Sequence, residues 1–253
     1  MSGVSSWLQA HPVVFVFWYA LLTALATALG AIPFAFIKSV SQRVVGYSNA
    51  LAAGLMLGAS FGLIVEGARE RGGATLVGVI LGVVFMLVVQ RFLGGHEGET
   101  EFLGAKGVGA KKMLLIIAVM TVHSFAEGAA VGVSFGGGVS LATAITLAVA
   151  VHNIPEGLAI SAVMRPQGAS ILSCAWWSFF SSIPQPLAAV PAFLFVEKFA
   201  ATLPYGLGFA AGAMIFMVLV ELLPEAYEQE SSRGIAAAAT LSMLGMVAVQ
   251  RFL

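Results

Sequence analysis

One short pattern of histidine, glutamate and glycine occurs twice near the middle of the chain. The segments HSFAEGAA, beginning at His123, and HNIPEGLA, beginning at His152, place a glutamate four residues after each histidine, at Glu127 and Glu156. Residues four apart in an α-helix lie one turn apart on the same face, so each pair can act together. Imidazole nitrogen and carboxylate oxygen are ligands of Zn²⁺, Fe²⁺ and Mn²⁺. The spacing therefore predicts two halves of a site for a divalent transition metal.

Each copy lies in the middle of an apolar run that is long enough to cross a bilayer. The runs extend from Met113 to Phe135 and from Val139 to Val163, close to the ~20 residues that a transmembrane helix needs. An ionised side chain at the bilayer centre costs roughly 2.5–3.5 kcal/mol on insertion scales, so its presence there favours a functional role. The glycines at 136–138 leave room only for an antiparallel hairpin. We therefore expect the two helices to face each other and share one four-ligand site.

The composition is that of a polytopic membrane protein. Of the 253 residues, 59% are hydrophobic and 9% are charged, and the mean hydropathy is +0.97. The formal net charge is zero, which gives no indication of a nucleic-acid partner. Cys174 is the single cysteine, so an internal disulfide is impossible. Because Met1 to His11 contain no Lys or Arg and the first apolar run is long, we expect that run to be a membrane helix rather than a signal peptide.

Uncharged runs predict an all-α membrane protein with eight transmembrane helices. The expected spans are about 12–37, 46–68, 73–93, 112–135, 139–163, 168–196, 204–224 and 234–253. Lys and Arg are more frequent in one set of alternate connections, which predicts a cytoplasmic 94–111 loop and both termini on the other side. The richer set contains Lys38, Arg43, Arg91, Lys106, Lys111, Lys112, Arg165 and Arg233, and the poorer set contains Arg69, Arg71, Lys198 and Arg251.

A second repeat flanks the central helix pair. At an offset of 158, the segment Ala52-Ala53-Gly54 matches Ala210-Ala211-Gly212, and at an offset of 160 the segment VQRFL at 89–93 recurs at 249–253. Spans 1–3 (about 12–93) are therefore expected to be related to spans 6–8 (about 168–253), with the hairpin 112–163 between them, in one transporter domain. Five spans precede the sixth, so the two copies enter the membrane from opposite sides. Inverted repeats of this kind are typical of secondary transporters.

Several other polar residues are candidates for the metal site. Ser124 and Asn153 directly follow the two histidines and can supply oxygen ligands or only interhelical hydrogen bonds. Gln185 lies between Pro184 and Pro186 in span 6. Because proline has no backbone donor, it frees carbonyl groups that can line a cavity. Span 6 is therefore the expected third wall of the site.

Two glutamates and one loop are candidates for the approaches to the site. Glu66 falls late in span 2 and Glu221 late in span 7, toward opposite membrane faces under the predicted orientation. Each can attract cations into a vestibule, or reach the interface and pair with a nearby basic residue. His96 lies among three glutamates in the 94–111 loop, which can collect metal or be simply a solvated loop.

With these motifs, the chain resembles the ZIP (Zrt/Irt-like protein) family of divalent metal transporters. The resemblance rests on HSFAEG in span 4, HNIPEG in span 5, ELLPEA at 221–226 and the eight-span plan with a loop after span 3. It implies movement of zinc toward the cytoplasm, with iron, manganese or cadmium as further substrates of the family. It also implies a 3+2+3 arrangement of helices in a lipid bilayer, a homodimer and no prosthetic group.

The resemblance also implies how the metal ligands are divided. His123, Glu127 and Glu156 would hold a first metal, while His152, Asn153 and the shared glutamates would favour a second. The chain departs from the common pattern of the family at two positions, with Ser124 in place of Asn and Gln185 in place of Glu. Losing a carboxylate weakens the attraction for a divalent ion, so we expect one tight site and a second that is weak or absent.

Two other functions fit the same ligands. In an intramembrane hydrolase, a zinc ion held by His and Glu would activate water, but that reaction needs a general base and the sequence supplies no distinct candidate. The chain also contains no HExxH, GxSxG, Walker A or GxGxxG context, so we expect no enzyme. A metal sensor would bind the ion without moving it.

Overall fold

The computed structural model describes residues 11–36, 41–93, 101–106 and 108–252, and most of them are helical. The α-helices are α1 (Pro12–Leu29), α2 (Gln42–Leu93), α3 (Val108–Ser134), α4 (Val139–Met164), α5 (Ile171–Ser182), α6 (Pro184–Lys198), α7 (Leu203–Met217), α8 (Leu223–Gln229) and α9 (Ser232–Phe252). Short 3₁₀ turns cover Ile32–Ala35, Phe135–Gly137, Arg165–Gln167 and Ala200–Thr202, and a π-helical turn covers Val218–Leu222 between α7 and α8.

Seven helical segments of the described chain are long and apolar enough to cross a bilayer. They are α1, α2, α3, α4, the pair α5 and α6, the stretch from α7 to α8, and α9. Exposed leucine, isoleucine, valine and phenylalanine side chains are numerous on these helices, as expected where lipid rather than water is the solvent. The chain is therefore a helical, multi-pass membrane protein, as the sequence predicts.

The 52-residue helix α2 bends sharply at Arg71, where φ is −160° and ψ is 92°. A straight helix of this length would measure about 78 Å, more than twice the ~30 Å thickness of the hydrocarbon core. Instead the chain reverses direction at the bend. The closeness of the two arms shows this, since a Cβ placed on Gly67 would lie only 2.8 Å from Thr75 Oγ1. Residues eight apart in a straight helix would be about 12 Å apart along its axis. The two arms of α2 correspond to the predicted spans 46–68 and 73–93.

The connection from α2 to α3 contains a short antiparallel hairpin that the all-α prediction did not include. Its strands are β1 (Glu101–Phe102) and β2 (Ala105–Lys106), joined by Leu103 and Gly104 with positive φ. The ring of Phe102 lies 5.0 Å from that of Trp177 on α5, so the hairpin rests against this helix. His96 lies outside the described residues.

The helix of span 6 is interrupted at Pro184. Helix α5 ends at Ser182 and α6 begins at Pro184, because Pro184 and Pro186 cannot donate hydrogen bonds to the preceding turn. Pro155, in contrast, is accommodated within the continuous helix α4. Ile183 therefore separates two half-helices beside the central pair, whereas α4 carries its His–Glu motif on one continuous helix.

The helices form two groups. Both arms of α2 pack against α7, and α2 also packs against α9, while α1, α3, α4, α5 and α6 surround the duplicated His–Glu motif. Helix α4 also contacts α2 and so joins the two groups. The motif thus lies between α3 and α4, next to α1 and to the helix pair α5 and α6, and α1 also packs against both helices of that pair.

Candidate metal centre

The two His–Glu motifs meet in the interior, between α3 and α4. One ligand atom from each of His123, Glu127, His152 and Glu156 lies within 4.8 Å of all the others, and none of the four residues is more than 2% exposed. The turn that brings the helices together ends at Gly138, whose φ of +102° is readily adopted only by glycine. The predicted hairpin is therefore present, and it brings the two half-sites together.

Glu127 is the central member of the cluster. Its Oε1 lies 2.9 Å from His123 Nε2 and 2.6 Å from His152 Nε2, and His123 Nε2 also lies 2.9 Å from Glu156 Oε1. Two imidazole nitrogens and two carboxylate oxygens therefore face one another at contact distance. This is a complete ligand set for a four-coordinate zinc ion. Two ionised carboxylates would bring two negative charges into the interior, and such charges are stable there only when paired or bound to a metal.

Gln185 contacts the cluster from the start of α6. Its Nε2 donates a hydrogen bond to Glu127 Oε2 at 2.5 Å, and its Oε1 accepts hydrogen bonds from Thr23 Oγ1 at 2.5 Å and Asn153 Nδ2 at 3.2 Å. Asn153 Nδ2 also donates to the Thr23 carbonyl oxygen at 2.8 Å. The residues of this network are buried. Gln185 is thus a hydrogen-bond partner of the cluster in this structure rather than a fifth group facing the ligand atoms.

The other two polar candidates are also buried. Ser124 is 1% exposed beside His123 on α3. The side-chain oxygen of Asn153 is buried and has no hydrogen-bond partner among the described residues. A carboxamide oxygen of this kind is a suitable ligand for a divalent cation, so Asn153 can add a ligand to the four central residues.

Sequence reasoning missed the contribution of α1. Thr23 and Thr27 are spaced by four residues, so both hydroxyl groups lie on one face of an otherwise apolar span. Thr23 contacts Gln185, and Thr27 Oγ1 lies 2.7 Å from Ser182 Oγ on α5. The signal was visible in the sequence, but the partner helix could not be read from it.

The glycine that follows each glutamate of the repeated motif allows a neighbouring backbone to approach. A Cβ on Gly128 would overlap the backbone of Gln185, and a Cβ on Gly157 would overlap the carbonyl oxygen of Thr27. Gly128 therefore brings α6 against α3, and Gly157 brings α1 against α4. The repeated Glu-Gly pair thus supplies a candidate metal ligand and a close helix contact in successive residues.

Neither vestibule candidate belongs to the cluster. Glu66 forms an ion pair with Arg69, at 3.2 Å between Oε2 and Nη1, and lines a cavity of about 390 Å³ together with Ser140 and Arg251. Glu221 lies half-buried in the π-helical turn after α7. The cavity is compatible with a role of Glu66 in attracting cations into a vestibule. The ion pair with Arg69 is compatible with the alternative, in which Glu66 only pairs with a nearby basic residue.

The family model described as ZIP zinc transporter matches residues 94–249. A candidate zinc transporter of Arabidopsis thaliana is 46% identical over 234 residues, which cover 91% of this chain and 38% of that protein. The zinc transporter GufA of Myxococcus xanthus is 32% identical over 85% of this chain and 91% of its own length. The zinc transporter ZIPB of Bordetella bronchiseptica is 31% identical over 90% of this chain and 76% of its own length. The segment matched by the family model includes all four residues of the buried cluster, and the chain belongs to the ZIP zinc transporter family.

Proposed function

We propose that this protein carries divalent transition-metal ions, zinc foremost, across a membrane toward the cytoplasm. The observation that supports this most directly is the buried cluster of His123, Glu127, His152 and Glu156 on the two central membrane helices. Relatives named as zinc transporters match 85% or more of the chain. Uptake of zinc by the full-length chain in proteoliposomes tests the function, and competition by Fe²⁺, Mn²⁺ and Cd²⁺ ranks the substrates.

The residues of the site have distinct roles in this mechanism. Glu127 and Glu156 neutralise the charge of the ion, so that it can be held far from water. The two imidazoles favour a transition metal over Mg²⁺ and Ca²⁺, which prefer oxygen ligands. Asn153 adds an amide oxygen, with Ser124 as a weaker candidate. Glu66 and Glu221 attract cations at the two ends of the path.

We further propose eight membrane crossings, with each arm of α2 as one crossing, in a single domain over residues 1–253. Three sets of contacts support this plan, because residues that it places on one membrane face come together. On the outer face, one cavity is lined by Arg69, by Gly137 of the 136–138 turn and by Arg251. On the cytoplasmic face, Arg43 Nε lies 2.5 Å from Glu230 Oε2, and Gly109 lies against Gln167.

The inverted repeat is supported by a pair of equivalent contacts. A Cβ on Gly54 would overlap the carbonyl oxygen of Ala239, and a Cβ on Gly212 would overlap that of Val79. The two contacts occupy equivalent positions in the two repeats. Gly54 aligns with Gly212 at the offset of 158, and Val79 aligns with Ala239 at the offset of 160. The close approach of α2 to α9 is thus repeated by α7 and the second arm of α2, as expected for a 3+2+3 arrangement with the hairpin 112–163 at its centre.

The proposed orientation predicts which cysteine substitutions an impermeant reagent can reach. We expect Gly73→Cys, beside the α2 bend, to be labelled by an impermeant maleimide from outside intact cells. Gln167→Cys, between α4 and α5, should be labelled only after permeabilisation. Cys174 is buried and is removed as Cys174→Ala in both variants. The reverse labelling pattern would contradict the orientation that places both termini outside the cytoplasm.

Zinc binding should weaken in acid. The metal must displace protons from imidazole and carboxylate groups, so affinity falls as these groups become protonated. We expect zinc affinity and uptake, measured with equal pH on both sides of the membrane, to fall from about pH 7 to about pH 5. Uptake that rises steadily over this range without a pH gradient would contradict direct binding by these four residues.

The hydrolase and the sensor remain alternatives with clear signatures. A hydrolase would cleave lipid or peptide in a zinc-dependent reaction, and a sensor would bind zinc saturably with no flux. The inverted repeat and the family favour transport over both.

We also propose a homodimer, for which cross-linking in the membrane is the test.

A further inference from the structure

The second oxygen of Glu127 is occupied by an amide group. Gln185 Nε2 donates to Glu127 Oε2 at 2.5 Å, while Gln185 Oε1 accepts from Thr23 Oγ1 and Asn153 Nδ2. The opposite orientation of the amide would set its oxygen against the carboxylate and its NH₂ group against Asn153 Nδ2. Because a carboxylate only accepts hydrogen bonds and an NH₂ group donates them, the observed orientation satisfies both Glu127 and Asn153.

We propose that the Gln185 amide takes the place of a second cation beside Glu127, so that the centre holds a single divalent ion, and that Thr23 positions this amide. The inference rests on the proposed metal site. Within the described residues the cluster contains two carboxylates, Glu127 and Glu156, whose two negative charges one divalent ion cancels. A second ion would leave two positive charges uncompensated in the interior, which is costly.

Thr23 is a positioning residue because its hydroxyl group is linked to Glu127 through the Gln185 amide. Its hydroxyl group reaches Gln185 and its carbonyl oxygen accepts from Asn153 Nδ2 at 2.8 Å. It therefore holds the Gln185 amide from α1, while Asn153 Oδ1 has no hydrogen-bond partner in the part of the chain that the structure describes. Thr27, one turn further along α1, makes a comparable contact with Ser182. This contact is not part of the hydrogen bonds that lead from Thr23 through Gln185 to Glu127. Thr27 therefore provides a matched control on the same helix face.

The number of zinc ions bound per chain tests the role of Gln185. The full-length protein is purified in detergent, loaded with zinc, freed of excess metal and analysed by mass spectrometry for zinc and sulfur. We expect one ion per wild-type chain and two in Gln185→Glu, where a third carboxylate replaces the amide. Gln167→Glu, which adds a carboxylate at an exposed turn, should remain at one. Two ions on the wild type, or one on a folded Gln185→Glu variant, would overturn the inference.

A conservative series tests the role of Thr23. Thr23→Val should lower zinc affinity by roughly 10-fold, as expected for loss of an outer partner of a metal ligand, and Thr23→Ser should restore it. Thr27→Val should leave the affinity unchanged. Equal affinity losses in Thr23→Val and Thr27→Val, or no loss in Thr23→Val, would overturn the positioning role. Thermal unfolding of each variant separates this effect from general destabilisation.

These measurements do not involve flux, so they separate the inference from the proposed function. A wild-type chain that binds one zinc ion and carries none would contradict transport and support the inference. A chain that carries zinc and binds two ions would support transport and overturn the inference. A wild-type chain that binds no zinc would contradict both.

Discussion

Replacing Glu127 by alanine is expected to reduce zinc affinity by more than 100-fold and to abolish zinc uptake. Loss of an outer partner of a metal ligand typically costs about 10–100-fold in affinity, and Glu127 is central to the cluster itself. Its Oε1 lies within 2.9 Å of both histidine Nε2 atoms, and its Oε2 accepts the hydrogen bond from Gln185. Its loss would therefore remove a ligand and half of the negative charge, and would leave the Gln185 amide without its acceptor.

Isothermal titration with zinc and uptake in proteoliposomes would measure the two effects on Glu127→Ala. His123→Ala should lose affinity as well, since His123 Nε2 contacts both glutamates. Glu197→Ala, which removes an exposed carboxylate from α6, is the matched control and should behave as the wild type. Full zinc affinity in a folded Glu127→Ala protein would show that the buried cluster is not the binding site.

Gly157→Ala is expected to have the largest effect on stability among conservative substitutions near the site. Its new methyl group would overlap the carbonyl oxygen of Thr27 and lie 3.3 Å from the Gly30 Cα atom. Because the obstacle is backbone, α1 must move away from α4 as a whole. Inserting a methyl group into a well-packed interior typically costs about 1–3 kcal/mol, and we expect a value at the upper end of that range.

The same displacement should impair the metal site. Thr23 lies one turn from Thr27 on α1 and contacts Asn153 and Gln185, so zinc affinity should fall together with the unfolding temperature. Gly245→Ala is the control, because the space around Gly245 on α9 is open. Alanine there should be neutral or stabilise by about 0.5–1 kcal/mol. Equal thermal stability of the two variants, measured by circular dichroism, would contradict the close contact of α1 with α4.

The helices and the meeting of the four central residues were predictable from the sequence for identifiable reasons. Transmembrane spans are continuous apolar runs, so their limits follow from charges and prolines. The His–Glu spacing of four and the short glycine turn at 136–138 sufficed to place His123, Glu127, His152 and Glu156 together. The interruption of span 6 at Pro184 agrees with the missing backbone donors of its prolines.

The contacts between helices distant in sequence were not predictable. Lipid-exposed helices show little amphipathic pattern, so the sequence does not indicate which face of α1 turns toward α4 or α6. The hydrogen bond of Thr23 to Gln185 depends on that rotation. The hairpin at 101–106 was missed because its four strand residues form no alternating pattern, and its contact through Phe102 with Trp177 is long-range.

Zinc uptake into proteoliposomes under an imposed zinc gradient, measured beside zinc binding by the same preparation, tests the central claim most directly. We expect saturable uptake by the wild type, abolished in Glu127→Ala and unchanged in Glu197→Ala. A folded wild-type protein that binds zinc at the buried cluster but carries none across the membrane would contradict the claim that this site is a transport site.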